Sequence, residues 1–250
     1  NGTVVRTHRL SQNTFPYVVE YEYEVDLSSL FFWPDWRPQE DVPVLRSTYR
    51  LTVPKDIGYS THAMGLDVTP KREGKSTLVW ELENIEPRVE ELHMSPDDQV
   101  QKALLFAPER FRLGEYEGSF ASWEAVATWY RELAADPYEL PEEAREQVQR
   151  LIAGAADQRQ SVARLYAFLQ DHTRYVAIML GIGGWQPSSA ESTFDNRYGD
   201  CKDLSTLMVA MLAEAGIEAY PALVRTNSKG RVQAAFPSNQ FNHCMVLVPL

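Results

Sequence analysis

The sequence is poor in the residues that build disulfide frameworks and metal sites. Among its 250 residues are two cysteines and five histidines. Two cysteines cannot form a disulfide framework, and the histidines are scattered without the repeated spacing that is typical of zinc ligands. We therefore expect no structural metal and no cofactor.

Positive charge and long apolar runs are also scarce. Lysine and arginine number 24 against 35 aspartates and glutamates, which gives a formal net charge of -11. Such a chain lacks the basic surface that binds phosphate backbones, so nucleic acid is not an expected partner. No apolar run approaches the roughly 20 residues of a membrane span, and no charged-then-apolar leader opens the chain. The first residue is Asn1 rather than Met, so the lack of a leader does not identify the compartment.

The first half of the chain has the pattern of β-strands. Hydrophobic residues make up 44% of the sequence, enough for one large domain or two smaller ones. Polar and apolar residues alternate over residues 17–27, 44–54 and 76–85, as in strands with one buried face. The first of these, YVVEYEYEVDL, is the most regular. Strands at this spacing without intervening helices predict an antiparallel β-sandwich-like domain over roughly the first 110 residues.

An aromatic loop, FFWPDWRP, occupies residues 31–38. Two interpretations are open. Aromatic residues beside prolines commonly pack the edge of a sheet, but the same group could form a platform for a sugar or a peptide.

Helical spacing begins near Ser122, which is placed to cap a helix with an apolar stripe over residues 123–133. A second helix is predicted over 141–152, with Pro141 at its first position, and a third around 162–169. A helix that begins at Cys201 and is closed by Gly216 follows, and then a strand over 241–248. These elements predict an α+β fold with a β-rich domain at 1–118 and a second domain at 119–250.

Cys201 is the first candidate functional residue, because it stands in the first turn of its helix, directly after Tyr-Gly-Asp. It lies on the side of the apolar stripe formed by Leu204, Leu207, Met208, Met211, Leu212 and Ala215. Free N–H groups and the helix dipole at this end favour negative charge and lower a thiol pKa from about 8.5 toward about 3.5–7.5. Cys201 is therefore a candidate nucleophile; the alternative is a buried structural cysteine.

His243 is the candidate base and acid for this thiol. Strand alternation places His243 on a face with Phe241, Met245 and Leu247, and it places Asn242, Cys244 and Val246 on the other. If the first face packs on the Cys201 helix, we expect a ring nitrogen of His243 within about 4 Å of the Cys201 sulfur. The alternation points Cys244 away from Cys201, which disfavours a disulfide and makes Cys244 a small core hydrophobe.

The runs RYGDCKDLSTLMVAMLAEAGIEAYPALV and FNHCMVLVPL resemble the transglutaminase-like superfamily. The core of that family has a cysteine at a helix start, then a histidine on a strand and an aspartate on the following strand. The segment RYVAIMLGIGGWQPSSAESTFDNRYGDCKD is similar in particular to bacterial members in which this core follows an uncharacterised β-rich domain. The resemblance covers residues 122–250 and implies a papain-like α+β domain with Cys201 as nucleophile and His243 as general base and acid. It also favours a periplasmic or extracytoplasmic location.

The third catalytic residue that the resemblance implies is not visible. The chain ends at Leu250, seven residues after His243, so we expect the orienting carboxylate to follow Leu250 and the domain to be truncated. Asp195, Asp200 and Asp203 are alternatives within the chain, but we expect Asp200 and Asp203 to stabilise the start of the Cys201 helix.

Chemistry at an amide through a thioester also requires donors to the developing oxyanion. The backbone N–H of Cys201 is one candidate. The side-chain amide of Gln186 is a second, by similarity to papain-like enzymes, with Trp185 as a wall of the cleft; the alternative for Gln186 is an exposed loop residue. The nearby GIGG lacks the Gly-Lys-Ser/Thr ending of a phosphate loop and is interpreted as turn glycines.

Two functions of different class follow. The first is a cysteine enzyme that performs acyl transfer or hydrolysis at amide bonds of a peptide or protein. The second is a catalytically silent peptide-binding or assembly module. In both, the strand over residues 241–248 would have an unpaired edge and could mediate self-association.

Overall fold

A computed structural model describes residue 7 and residues 13–89, 102–135 and 138–250. The fold is α+β, as predicted, with its strands first and most of its helices second. Antiparallel pairing joins the early strands into three sheets, ordered β1–β4–β3, β2–β5 and β6–β7. The strands are β1 (Val44–Thr52), β2 (Tyr59–Met64), β3 (Lys71–Glu73), β4 (Thr77–Ile85), β5 (Ala103–Pro108), β6 (Arg110–Leu113) and β7 (Tyr116–Ser119).

The pairing of β1 with β4 follows from their alternating sequences. Tyr49 lies opposite Trp80, and Leu51 lies opposite Leu78. Trp80 is only 3% exposed and packs in a core cluster with Leu51 and Phe106. Because the apolar residues of both strands fall on one face, pairing them buries a continuous surface.

The aromatic loop contributes to two cores, as the packing interpretation predicted. Phe31, in a short 3₁₀ helix (Leu30–Phe32), is 3% exposed and contacts Phe111 and Trp129. Trp36 is 6% exposed and belongs to the cluster around Trp80.

Residues 17–27 form no strand, so the most regular strand prediction is wrong. Side chains that were expected to be buried are exposed: Tyr21 by 81%, Tyr23 by 77% and Val25 by 63%. Alternation indicates which face a strand would bury, but a strand forms only where a neighbour supplies hydrogen-bond partners and apolar cover. Within the part of the chain that the structure describes, no strand pairs with this segment.

The C-terminal half contains most of the helices. Ser122 caps the first, where its side chain accepts a hydrogen bond from the N–H of Ala125 at 3.2 Å, as predicted. Pro141 precedes the second helix rather than opening it, a difference of one residue. The elements are α1 (Trp123–Leu133), α2 (Glu142–Ile152), α3 (Gln158–His172), β8 (Arg174–Tyr175), α4 (Ala190–Asn196), β9 (Tyr198–Gly199), α5 (Cys201–Glu214), β10 (Tyr220–Val224) and β11 (His243–Leu247).

Helix α5 is the centre of this half. Its Leu207, Met211 and Leu212 are 0% exposed, and Thr206 and Ala210, outside the predicted stripe, are buried as well. Helices α2, α3 and α4 and the β10–β11 pair surround it, so it is buried on more than one face. Gly216 follows the helix with a φ of +70°, a left-handed conformation that favours glycine, in agreement with its predicted role.

The predicted domain boundary at residues 118–119 falls at the end of β7. One core cluster crosses this point: the ring of Phe111 lies 4.5 Å from that of Phe120 and 5.1 Å from that of Trp129 on α1. The β-rich region and the first helix therefore share a core.

Candidate active site

Cys201 is the first residue of α5, and the start of this helix is closed by two carboxylates. The Asp200 side chain accepts hydrogen bonds from the N–H groups of Lys202 at 3.1 Å and Asp203 at 3.4 Å. In return, the Asp203 side chain accepts one from the N–H of Asp200 at 3.0 Å. This reciprocal arrangement confirms that Asp200 and Asp203 stabilise the helix start.

A buried cation joins these carboxylates. The Lys202 ammonium forms an ion pair with Asp200 and lies 3.6 Å from an oxygen of Asp203. The three side chains are 6%, 3% and 9% exposed in the order Lys202, Asp200, Asp203. Asp203 also accepts a hydrogen bond from the N–H of Ser188 at 2.8 Å, which ties the preceding loop to the helix. Because two buried carboxylates share one buried cation, removal of Lys202 would leave uncompensated negative charge in the core.

The chain that enters α5 is held by a short parallel pairing of β8 with β9. The N–H of Arg174 donates to the carbonyl of Arg197, and the N–H of Val176 donates to that of Gly199, both at 2.9 Å. Gly199 itself lies so close to Asp203 that an added Cβ would sit 2.6 Å from the Cβ of that residue. A side chain at position 199 would therefore push the strand away from the helix start.

Cys201 and His243 line the same cavity, whose volume is about 630 Å³. Helix α3 and β8 form one side of it, α5 a second and β11 a third. Most of its walls are apolar. The remaining lining residues are Val162, Tyr166, Leu169, Gln170, Thr173, Tyr175, Leu204, Ser205, Met208, Cys244, Met245, Val246 and Val248.

Strand β11 presents the opposite face to α5 from the one predicted. Cys244 is 4% exposed and Val246 packs against the core around α5, whereas Met245 and Leu247 are 54% and 58% exposed. Both faces of this strand carry apolar residues, so alternation defined the two faces without deciding which one is buried. His243, half-buried at the first position of the strand, still reaches the cavity.

Cys244 is buried, as predicted, and both cysteines are free thiols. Its sulfur lies 3.9 Å from the hydroxyl of Tyr130. Burial raises the pKa of Cys244, and hydrogen bonds with Ser205 and Tyr130 offset part of this rise. Cys244 is therefore held in its thiol form, which is the less reactive one.

Tyr175 is a cavity residue that the sequence analysis did not single out. The pKa of its phenol is raised by burial, then by an electrostatic interaction and a hydrogen-bonding contact with the Cys201 side chain; a contact with the backbone N–H of Cys201 lowers it. Its hydroxyl is thus next to both the sulfur and the first N–H of α5. The sequence contained no signal for this contact, because it arises from the parallel pairing of β8 with β9.

The structure does not bring Gln186 and Trp185 to this cavity. The Gln186 amide donates to the hydroxyl of Tyr116 at 3.0 Å. The ring of Trp185 lies 4.8 Å from that of Phe31 and packs in the aromatic core. Asp195, the remaining carboxylate alternative, is exposed on α4 and does not line the cavity.

Among the described residues, no helix is both long and apolar enough to cross a membrane. Across the same residues, no group of three or more histidine, cysteine, aspartate or glutamate side chains has a metal-binding arrangement.

Comparison with known families finds two matches, which cover different parts of the chain. Residues 145–248 match the transglutaminase-like superfamily, and residues 1–89 match a domain of unknown function with a solved structure, DUF3857. No curated protein shows significant similarity to the sequence.

Two solved structures align with most of the chain. A candidate protease from Parabacteroides distasonis superposes with a TM-score of 0.62 at 17% identity, over 85% of this chain and 40% of that one. The chain thus spans 40% of the length of that protein. A candidate cysteine protease from Cytophaga hutchinsonii aligns over 86% of this chain and 70% of that one, with a TM-score of 0.36 and 13% identity. At these identities the likeness to the first structure supports the fold alone.

Proposed function

We propose that this protein, in which residues 145–248 match the transglutaminase-like superfamily and residues 1–89 match DUF3857, is a cysteine enzyme that acts on amide bonds of a peptide or protein. The observation that carries the proposal is the position of Cys201 at the start of α5, in one cavity with His243. A thiol at a helix start has the electrostatic setting of a nucleophile, and a histidine in the same cavity can serve as its base and acid.

The proposed reaction proceeds through a thioester. His243 takes the thiol proton, and the Cys201 sulfur attacks the substrate carbonyl carbon, so that an S–C bond forms and an electron pair moves to the oxygen. When the tetrahedral intermediate collapses, the C–N bond breaks and the leaving amine takes the proton from His243. Water then gives hydrolysis, whereas an amine gives transamidation, and both steps consume the same thioester.

The walls of the cavity favour this chemistry. Leu204, Met208 and Val246 supply apolar surface beside the thiol. Exclusion of water by such surface strengthens the interaction between a thiolate and an imidazolium. The same surface suits an apolar side chain of the substrate next to the bond that is cleaved.

The proposal includes a contact between copies of the chain along residues 241–248. In the described part of the chain, β11 pairs only with β10, so its second edge has no partner strand. A free edge can accept an extended peptide or the same strand of a second molecule.

Thiol reactivity tests the enzyme proposal against the silent-module alternative. The chain and its Cys201→Ala and His243→Ala variants are treated with iodoacetamide at neutral pH, and the labelled cysteine is located by mass spectrometry. Cys244 serves as an internal control, because it lines the same cavity but is held as a thiol. We expect rapid labelling at Cys201 that slows without His243. Labelling of Cys201 no faster than a free cysteine would favour the silent module.

A further inference from the structure

The phenol of Tyr175 lies in the cavity beside Cys201. Backbone hydrogen bonds on both sides of Tyr175 fix β8 against the residues that precede Cys201: Arg174 to Arg197 and Val176 to Gly199, each at 2.9 Å. In this register Tyr175 lies opposite Gly199, two residues before the cysteine. The Tyr175 side chain lines the cavity and contacts both the thiol and the backbone N–H of Cys201.

Attack on a carbonyl requires two donors that converge on the developing negative charge. The N–H of Cys201 is one, because it is among the unpaired N–H groups at the start of α5. The Gln186 amide, the second donor expected from the sequence, is bonded to Tyr116 instead. Among the polar groups that line the cavity, the Tyr175 hydroxyl is the one that contacts this N–H.

We propose that the Tyr175 hydroxyl is the second donor of the oxyanion hole, and thus a further catalytic residue; this inference rests on the proposed thioester chemistry. In the unliganded protein the phenol lies beside the Cys201 thiol and N–H, in the cavity that both residues line. When a substrate carbonyl oxygen takes that place, the phenol moves aside and donates its own hydrogen to the oxygen. Tyr175 is 60% exposed, so its ring has room to move.

The role of Tyr175 is confined to one step. As the S–C bond forms, the carbonyl electron pair moves to oxygen, and the phenol and the backbone N–H stabilise the charge by hydrogen bonds. When the C=O bond re-forms, the leaving group departs with the bonding pair, and Tyr175 keeps its proton throughout. Alkylation by iodoacetamide displaces iodide at a saturated carbon and creates no oxyanion, so Tyr175 should not assist it.

The test compares these two reactions at the same thiol. Acylation is followed as the burst of nitrophenolate from p-nitrophenyl acetate, and alkylation as the rate of iodoacetamide labelling at Cys201. Tyr175→Phe removes only the hydroxyl, and Tyr198→Phe is the matched control, because Tyr198 is on the paired strand β9 and does not line the cavity. We expect Tyr175→Phe to slow acylation about 100-fold while alkylation and its pH profile stay unchanged, since loss of one oxyanion donor has an effect of that order.

Each contrary result has a distinct meaning. Unchanged acylation in Tyr175→Phe overturns the inference alone. Equal slowing of both reactions assigns Tyr175 to positioning of the thiol, and faster acylation assigns it to blocking of the site; either overturns the donor role. If the unsubstituted protein undergoes neither reaction at Cys201, the proposed function falls, and this inference falls with it.

Discussion

Around Cys201 the chain is fixed by buried charges and backbone hydrogen bonds, whereas around His243 it is held by one neighbouring strand. The helix start has the Asp200–Lys202–Asp203 network and the β8–β9 pairing on either side of the cysteine. His243 opens a five-residue strand that pairs, within the described residues, only with β10.

This difference agrees with the proposed roles of Cys201 as nucleophile and His243 as base and acid. A nucleophile needs a fixed approach to the carbonyl, because small displacements of a reacting atom are costly. A base and acid must transfer a proton first from the thiol and later to the leaving amine, so it tolerates some motion. Local stability also differs along a chain, and segments with few bonded neighbours open first. We therefore expect substitutions on the cysteine side to affect stability and those on the histidine side to affect activity, with Cys201 itself as the exception.

The largest expected effect is that of Cys201→Ala on activity. Without the sulfur no thioester can form, so acylation should fall by about 10⁴ or more. Cys201 lines the cavity and is partly exposed, so the melting temperature should change little. Burst kinetics with p-nitrophenyl acetate measures the rate of acylation, and calorimetry measures the melting temperature. A loss of several kcal/mol in stability would instead identify Cys201 as a packing residue.

His243→Ala should have the next largest effect, again on activity. Loss of a general base and acid lowers acylation by about 10²–10⁴. Because His243 is half-buried at the first position of β11, the free energy of unfolding should change by only about 1 kcal/mol. Denaturant unfolding measures this free energy. A large loss of stability would show that His243 stabilises the fold as the charged residues around Cys201 do, which contradicts the difference between the two sides of the cavity.

Asp200→Asn should act mainly on stability. It removes the ion pair with Lys202 and leaves this buried ammonium with one carboxylate, Asp203, at 3.6 Å; loss of a hydrogen bond between charged groups costs about 1.5–3 kcal/mol. Lys202→Met instead leaves the two buried carboxylates, Asp200 and Asp203, without their cation. It should cost more stability than Asp200→Asn in denaturant unfolding, because it leaves uncompensated charge in the core. Equal stability of Asp200→Asn and the unsubstituted chain would contradict a structural role for the network.

The smallest effect concerns Cys244 and pH. Its folded-state pKa is raised by burial, so its contribution to stability is complete below the unfolded pKa and is lost as pH rises through the folded pKa. Stability of the chain should therefore decline at alkaline pH, and Cys244→Ala should make this decline shallower. The decline is measured as the free energy of unfolding at several alkaline pH values. The same dependence on pH in the unsubstituted chain and in Cys244→Ala would show that titration of Cys244 does not contribute to the decline.

Several local features could be predicted from the sequence because each depends on neighbours along the chain. Ser122 caps α1, Asp200 and Asp203 close the start of α5, and Gly216 follows its end, as expected from capping rules. Helix boundaries also agreed to within a residue for α1 and α2.

Predictions that required a partner distant in sequence were less successful. Residues 17–27 alternate as regularly as a strand, yet no described strand pairs with them. In β11 both faces are apolar, and the choice of Cys244 and Val246 as the buried side was made by packing on α5. The Gln186 amide, which the sequence offered as an oxyanion donor, is bonded to Tyr116, 70 positions away.

The sequence by itself determined where α5 begins and that Cys201 stands there, because N-caps and helix dipoles act within one turn of the chain. Only the tertiary structure decided what surrounds that thiol. It brought His243 into the same cavity from β11 and Tyr175 from β8, and it left Gln186 outside. The physical reason is that these positions depend on register and core packing between segments far apart in the chain, and no local pattern specifies which of several apolar faces will meet.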